Sequence, residues 1–265
     1  MATHFISNSK PLCFGNQGAY PMRVELGYGF VDLIEWGTLR DFDSGQISTV
    51  APWQLWLARR DQRYRETLRE SHLIAPDGNG VCLLLRLYGI NQKRITGREI
   101  AQAVYQSDIW SGRTRIVVGG SPEAVEVLNK REGLTAFGGD FSSKTIDDRI
   151  AELSNWISQA EDRARAVLIV ALGSPRQEYL CRQICLRHPG LIAIGVGGAV
   201  EVIAGTVLSP PIWVTKYRLE FAYRAIKLPH LRKRVGQALC ECGRLAINLS
   251  IDRGFKSWRK PDVSW

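Results

Sequence analysis

Three short stretches carry residue types that could do chemistry. The first is Gly173-Ser174-Pro175-Arg176-Gln177-Glu178, directly after the apolar run Ala166–Leu172. A strand that stops, a glycine that turns and a helix that starts would aim free N–H groups into the space beyond the strand end, where anions and nucleotides bind in open α/β sheets. The same residues also read as a plain helix start, with Ser174 as N-cap, Pro175 in the first helical position and Gln177 at capping-box spacing. The second stretch is Ala75-Pro76-Asp77-Gly78-Asn79-Gly80, whose lone carboxylate, Asp77, could act as a general base at the mouth of a sheet. Asp-Gly is equally a common turn pair. The third is Gly195-Val196-Gly197-Gly198, a strand-to-helix turn where backbone can approach a phosphate closely. Val200 stands where a dinucleotide fingerprint needs its last glycine, so tight helix–strand packing explains these glycines as well.

Other clusters are weaker. Asp41-x-Asp43 could hold a divalent cation, but beside Ser44-Gly45 it reads as a solvated turn. Cys181, Cys185 and His188 could share a helix face. Cysteine is among the most buried residue types and His188-Pro189-Gly190 reads as a helix end, so these are assigned to packing rather than to a metal. Cys240-x-Cys242 has no second ligand pair of zinc spacing nearby.

The elements that must position these residues follow from periodicity. Residues 1–22 are polar and irregular. Arg23–Leu33 reads as a strand or hairpin, and Gln46–Ala51 as a short strand. Pro52–Ser71 is predicted as one helix with proline at its start. His72–Gly80 is strand then turn, and Thr96–Trp110 is helical. Arg113–Gly133 is strand, Gly-Gly turn and helix, Leu134–Phe141 is strand and turn, and Thr145–Ala164 is an amphipathic helix. Ala166–Gly190 and Leu191–Gly205 repeat the strand, turn, helix order. The apolar strands do not alternate, which predicts an α/β fold with a mainly parallel, Rossmann-like sheet and helices on both faces. Its strand ends would gather four turns: Thr49–Ala51, Ala75–Gly80, Gly173–Glu178 and Gly195–Val200. The α/β core is expected over residues 23–210. Residues 211–265 form a basic helical C-terminal appendage.

The chain of 265 residues carries a net charge of +9, and its placement is uneven. Residues 211–265 hold 12 Lys/Arg against 4 Asp/Glu. That surplus suits a polyanion, either phospholipid headgroups or nucleic acid. The first 30 residues lack a basic start followed by an apolar core, and no run of 18 apolar residues occurs. A cytoplasmic protein with free thiols, peripheral to a membrane at most, is therefore expected.

Taken in order, "GSPRQE", "GVGGAVEVIAG", "PP-W" and "RLEFAYRAIKLPHLRKR" resemble the WecG/TagA/CpsF family, glycosyltransferase family 26. "PDGNG" followed by "KRITGREI" resembles two further family motifs, and the likeness covers residues 23–236. The resemblance implies an inverting, metal-independent enzyme without cofactor. It would move a sugar from a UDP-sugar, of the UDP-glucose or UDP-N-acetylmannosamine type, to a polyprenyl-diphosphate-linked sugar in exopolysaccharide, capsule or wall polymer synthesis. It places the catalytic base on Asp77 and substrate contacts on Thr49, Ala51, Arg94, Gly173, Ser174, Gln177, Gly195, Gly197, Gly198, Glu201, Arg224 and Arg232. The implied partners are the UDP-sugar, the lipid-linked acceptor and an anionic membrane surface, with no nucleic acid; a homo-oligomer stays open. Ala51 stands where the family has asparagine, Val200-Glu201 where it has an aromatic residue and aspartate, and Arg218 where it has glycine. The lost asparagine removes a hydrogen-bonding group from the donor pocket, which bears on donor choice.

Two other classes compete. A nicotinamide-dependent oxidoreductase is disfavoured by the broken glycine fingerprint. A non-catalytic basic module, binding membrane or nucleic acid, accounts for the C-terminal charge and leaves Asp77 and the glycine turns unexplained.

Overall fold

A computed structural model of the chain describes residues 5–6, 13–14, 21–131, 133–142, 145–207, 211, 214, 223, 226–227 and 229–258. In chain order its elements are β1 (Phe5–Ile6), β2 (Cys13–Phe14), β3 (Arg23–Leu26), β4 (Gly29–Asp32), α1 (Trp36–Arg40), β5 (Phe42–Val50), α2 (Pro52–Arg60), α3 (Gln62–Arg69), β6 (Leu73–Pro76), α4 (Asn79–Leu87), α5 (Gly97–Tyr105), β7 (Arg115–Gly119), α6 (Pro122–Asn129), β8 (Leu134–Phe137), α7 (Ile146–Ser158), β9 (Val167–Ala171), α8 (Arg176–Arg187), β10 (Ile192–Gly195), α9 (Ala199–Ala204) and α10 (Arg232–Trp258). The first 22 residues, expected to be irregular, supply two short strands: β1 pairs antiparallel with β3, and β2 pairs antiparallel with the start of β5.

The main sheet runs β6-β5-β10-β9-β7-β8, all parallel, with β2 added at the start of β5. Its register shows why the strands read as apolar without alternation. Val117, Ile169, Ile194, Ile47 and Leu73 lie opposite one another across five strands. That row packs under α5, α6 and α9 in one core cluster. The alternate residues Ile116, Val118, Leu168 and Val170 face α7 and α8 on the other side. Further along that side, Val50 and Ile74 pack with α2, α3, α4 and the β3–β4 hairpin. Both faces are covered, so β9 and β10 are apolar throughout, while β5 buries the polar side chains of Gln46, Ser48 and Thr49.

The single helix predicted over 52–71 is two. Asp61 ends α2 and caps α3, its side chain accepting from the Tyr64 N–H. A short polar side chain that satisfies an orphan N–H favours a helix start over a helix interior. The hairpin is tied down by a buried pair. Arg23 donates from Nε and Nη2 to the two Asp32 oxygens at 2.7 and 2.8 Å, and also to the Arg69 and Ser71 carbonyls, while Asp32 accepts from the Ile74 N–H.

The C-terminal helix α10 is part of the core. Leu245 is 4% exposed and packs with Val24, Leu26 and Leu55. A Cβ on Gly27 would stand 2.7 Å from Leu245 Cδ2, so the glycine leaves the space that leucine fills. Glu241, almost fully buried, receives Arg59 Nε at 2.8 Å and pairs with Arg244. Among the described residues no helix is long and apolar enough to cross a membrane.

Candidate active site

Five strands end on one edge of the sheet, and the ends of four of them carry the predicted residues. At β5 and β6 the contacts are close. Thr49, 4% exposed, donates from Oγ1 to the Gly195 carbonyl at 3.0 Å, joining the ends of β5 and β10. Asp77 follows β6; its N–H bonds the Val50 carbonyl at 2.8 Å, and its Oδ2 accepts from the Gly97 N–H at 3.3 Å. Ala51 lies beside it, 3.7 Å from a Cβ placed on Gly78. Gly97, which the sequence reading passed over, starts α5 in a slot. A Cβ there would meet Val196 Cα at 3.2 Å and Thr49 Oγ1 at 3.3 Å. Residues leading to α5 cross the end of β6, where the Ile95 N–H bonds the Pro76 carbonyl, and Arg94 lies 3.9 Å from Glu99. Thr49, Ala51, Asp77 and Arg94 are thus gathered round the ends of β5, β6 and the start of α5.

The β9–α8 turn departs from its expected capping box. The helix begins at Arg176, with Pro175 as its N-cap residue and no side-chain cap. The Ser174 hydroxyl donates instead to Glu178 Oε1 at 2.7 Å. A buried carboxylate cannot turn to water for a donor, whereas a helix N-terminus can, so the carboxylate takes the hydroxyl. Gln177, 2% exposed, is also committed: Nε2 donates to Glu178 Oε1 at 3.0 Å and Oε1 accepts from the Gly197 N–H at 3.0 Å. A Cβ on Gly195 would lie 2.8 Å from Gln177 Nε2, so Gly195 is bare to let the carboxamide lie flat on β10. Burial, opposed by the Ser174 and Gln177 donors, pushes the Glu178 carboxyl above its ordinary value.

Across the edge, the β10–α9 turn meets a fifth turn, Gly119-Gly120-Ser121 after β7. Glu201 Oε1 accepts from the Ser121 N–H at 3.3 Å, and Gly198 and Gly120 both face the same carboxylate. Glu201 Oε2 is buried and has no partner among the described residues. Gly119 and Gly120 have φ of +82° and +98°, a backbone that favours glycine. The Gly-Gly pair after an apolar strand was the signal for this turn.

The basic residues divide. Arg224 lies outside the described residues. Arg232 opens α10 and is exposed. Arg234, not singled out from sequence, has its guanidinium 4.7 Å from the Trp53 ring centroid, and its charge reaches Glu178. Further along α10, Cys242 Sγ sits 3.0 Å from a Cβ placed on Gly80, close after the Asp77 turn.

The weaker clusters lie elsewhere. Asp43 is in β5 at the opposite end of the sheet, accepting from Arg113 and Arg165 at 2.7 and 3.0 Å. Cys181 and Cys185 are buried under α7, and His188 Nε2 bonds the Ser154 hydroxyl at 2.8 Å.

A parallel sheet whose strand-end edge gathers the carboxylates of Asp77 and Glu201 among glycine turns presents the edge on which open α/β folds bind ligands. Two similar sequences are named as transferases. An N-acetylglucosaminyldiphosphoundecaprenol N-acetyl-beta-D-mannosaminyltransferase of Bacillus subtilis (strain 168) is 30% identical over 216 residues, covering 78% of this chain and 80% of the relative. A protein of the same name from Bacillus spizizenii (strain ATCC 23059 / NRRL B-14472 / W23) is 26% identical over 212 residues, with 78% and 80% covered. The pattern of the glycosyl transferase WecG/TagA/CpsF family matches residues 29–252, and the chain belongs to that family.

Proposed function

We propose that this glycosyltransferase moves a sugar from a UDP-sugar to a sugar carried on a polyprenyl diphosphate, with inversion, in the synthesis of a wall or extracellular polymer. The observation that carries the reading is the placement of Asp77. Its carboxylate stands at the end of β6 with one oxygen on the Gly97 N–H, beside Thr49 and Ala51 and near α10. In the reaction, an acceptor hydroxyl oxygen attacks the anomeric carbon as the bond to the UDP oxygen breaks. Asp77 takes the hydroxyl proton, and UDP leaves with the bonding pair. Backbone N–H groups of the Gly173 turn and of Gly198, with arginines of the C-terminal region, would carry the developing diphosphate charge. Glu201, with one oxygen on Ser121 N–H and the other unpartnered, faces the same glycine turns.

The acceptor class is supported by the named activity of both relatives, which act on an undecaprenol-linked sugar. A peripheral position on the inner face of the membrane fits α10, where Leu239 and Ile247 are more than half exposed on a helix rich in Lys and Arg. The donor is a UDP-hexose or UDP-N-acetylhexosamine; Ala51 favours one that does not need the family's asparagine. Incubation with a panel of UDP-sugars and polyprenyl-diphosphate-linked acceptors, with products identified by mass, tests the reading. A product one sugar heavier supports it. No transfer from any UDP-sugar, together with no binding of UDP, overturns it.

A further inference from the structure

Glu178 has no part in the mechanism above, yet it is 1% exposed at the start of α8, where a carboxyl is costly to bury. Its surroundings have a direction. The Ala51 N–H donates to Gln54 Oε1 at 3.2 Å, Gln54 Nε2 donates to the Ser174 hydroxyl at 3.2 Å, and that hydroxyl donates to Glu178 Oε1. From the opposite side, the Gly197 N–H donates to Gln177 Oε1, and Gln177 Nε2 donates to the same Glu178 oxygen. Two arms, one from the start of α2 and one from the β10–α9 turn, therefore end on a single acceptor. A donor or an apolar group at position 178 would leave both the Ser174 hydroxyl and the Gln177 amide without an acceptor, and both arms would be free to rotate.

The rest of the residue is fixed as well. Its backbone carbonyl accepts from Gln46 Nε2 at 3.2 Å, which anchors it to β5. Its second oxygen, Oε2, and the Tyr64 hydroxyl are both buried with no partner among the described residues. Burial first, and then the Glu178 charge, push the Tyr64 phenol well above its ordinary value, so the two groups are neighbours. Glu178 is too enclosed, and its Oε1 too committed, to touch substrate.

We propose that Glu178 is a positioning residue: by terminating both hydrogen-bonded arms it holds the Gly197 turn and the Ala51 end of the donor pocket in one register, so that the sugar and the diphosphate of the donor are bound together. The inference rests on the reading that a UDP-sugar lies across these turns, and it assigns to Glu178 the set of their spacing.

The test compares Glu178→Gln, whose carbonyl can accept both arms and whose amide can donate to Tyr64, with Glu178→Ala, which removes the acceptor. Calorimetry with UDP and steady-state transfer are read on the full chain. Glu178→Ala is expected to weaken UDP binding about 10- to 30-fold, the scale of two lost hydrogen bonds, with the change in KM for the donor rather than in kcat. Glu178→Gln restores binding to within about threefold of wild type, the scale of a small residual hydrogen-bond difference. Gln177→Ala combined with Glu178→Ala should be no worse than the poorer single variant, because both cut the same arm. If Glu178→Ala does not fold, Ser174→Ala and Gln177→Ala each remove one arm and should each weaken UDP binding. A folded Glu178→Ala that binds UDP like wild type overturns the proposal, as does a Glu178→Gln as impaired as Glu178→Ala, or two single-arm variants that bind normally. A wild-type protein that does not bind UDP would instead overturn the proposed function, and this inference with it.

Discussion

Leu245→Ala measures how firmly the C-terminal helix belongs to the enzyme. Leu245 is 4% exposed, and packs with Val24, Leu26, Leu55 and Leu84 in the core under the hairpin. The substitution removes the equivalent of three methylene groups, about 2.4 kcal/mol at roughly 0.8 kcal/mol each. A residual cavity adds to this, within the range of about 2–5 kcal/mol for buried Leu→Ala. The site lies under a helix whose outer side faces solvent and can settle inwards, so a loss of about 2–3 kcal/mol is expected, in the lower half of that range. For a chain of this size that corresponds to roughly 5–10 °C in melting temperature. Urea unfolding followed by circular dichroism gives the free energy, and an unchanged slope with denaturant shows that the native state is intact. Because Cys242 presses on Gly80 beside the Asp77 turn, transfer should fall as well. A loss below about 0.5 kcal/mol, the level of an ordinary surface substitution, would refute the docking of α10 on this cluster. The same contact means that truncation before Pro210 would open the core and not merely release an anchor.

Three further outcomes follow from individual residues. His188 is held below its ordinary value of 6.5, by burial first and then by the Arg187 charge. Its neutral form is therefore favoured in the fold, and stability should decline as pH falls from 6.5 through the lower folded value; His188→Asn should flatten that decline in urea titrations run across the range, and an unchanged slope would remove His188 as its cause. Binding to anionic vesicles should weaken steadily from low to high salt, as attraction screened over about 10 Å at 0.1 M demands; sedimentation that ignores salt would assign the membrane contact to apolar residues alone. Ala51→Asn should shift donor preference towards UDP-N-acetylmannosamine in a competition between UDP-sugars, and an unchanged ratio would separate Ala51 from donor choice.

The parallel sheet was legible because both of its faces are covered, so strands such as Val167–Ala171 show unbroken apolar sequence. The turns at Asp77, Gly173 and Gly195 were legible for the same reason, since each follows such a run, whereas Thr49 lies inside β5 after the mostly polar stretch Asp43–Ser48. Local alternatives were harder. Asp61 looks like one more polar position on a long helix until its carboxylate is seen to cap α3. Ser174 has the right spacing for a capping box, but that spacing cannot show that Glu178 is buried and takes the hydroxyl first. The least legible contacts join distant parts of the chain. Arg59 with Glu241, and Gly27 with Leu245, depend on where α10 folds back, which no local periodicity encodes. Arg234 was missed for that reason: its neighbours Trp53 and Glu178 belong to α2 and α8.

The most direct measurement of the central claim is turnover by Asp77→Asn. Asparagine can still accept from the Gly97 N–H through its side-chain carbonyl, so the turn after β6 and the binding of UDP should be nearly intact. It cannot accept the proton of the attacking hydroxyl. Loss of one general base is worth about 10²- to 10⁴-fold, so kcat with the productive UDP-sugar and lipid-linked acceptor should fall by that amount while the Kd for UDP stays within about twofold. Turnover within about threefold of wild type, on a protein of unchanged UDP affinity, would contradict the account and remove Asp77 as the base.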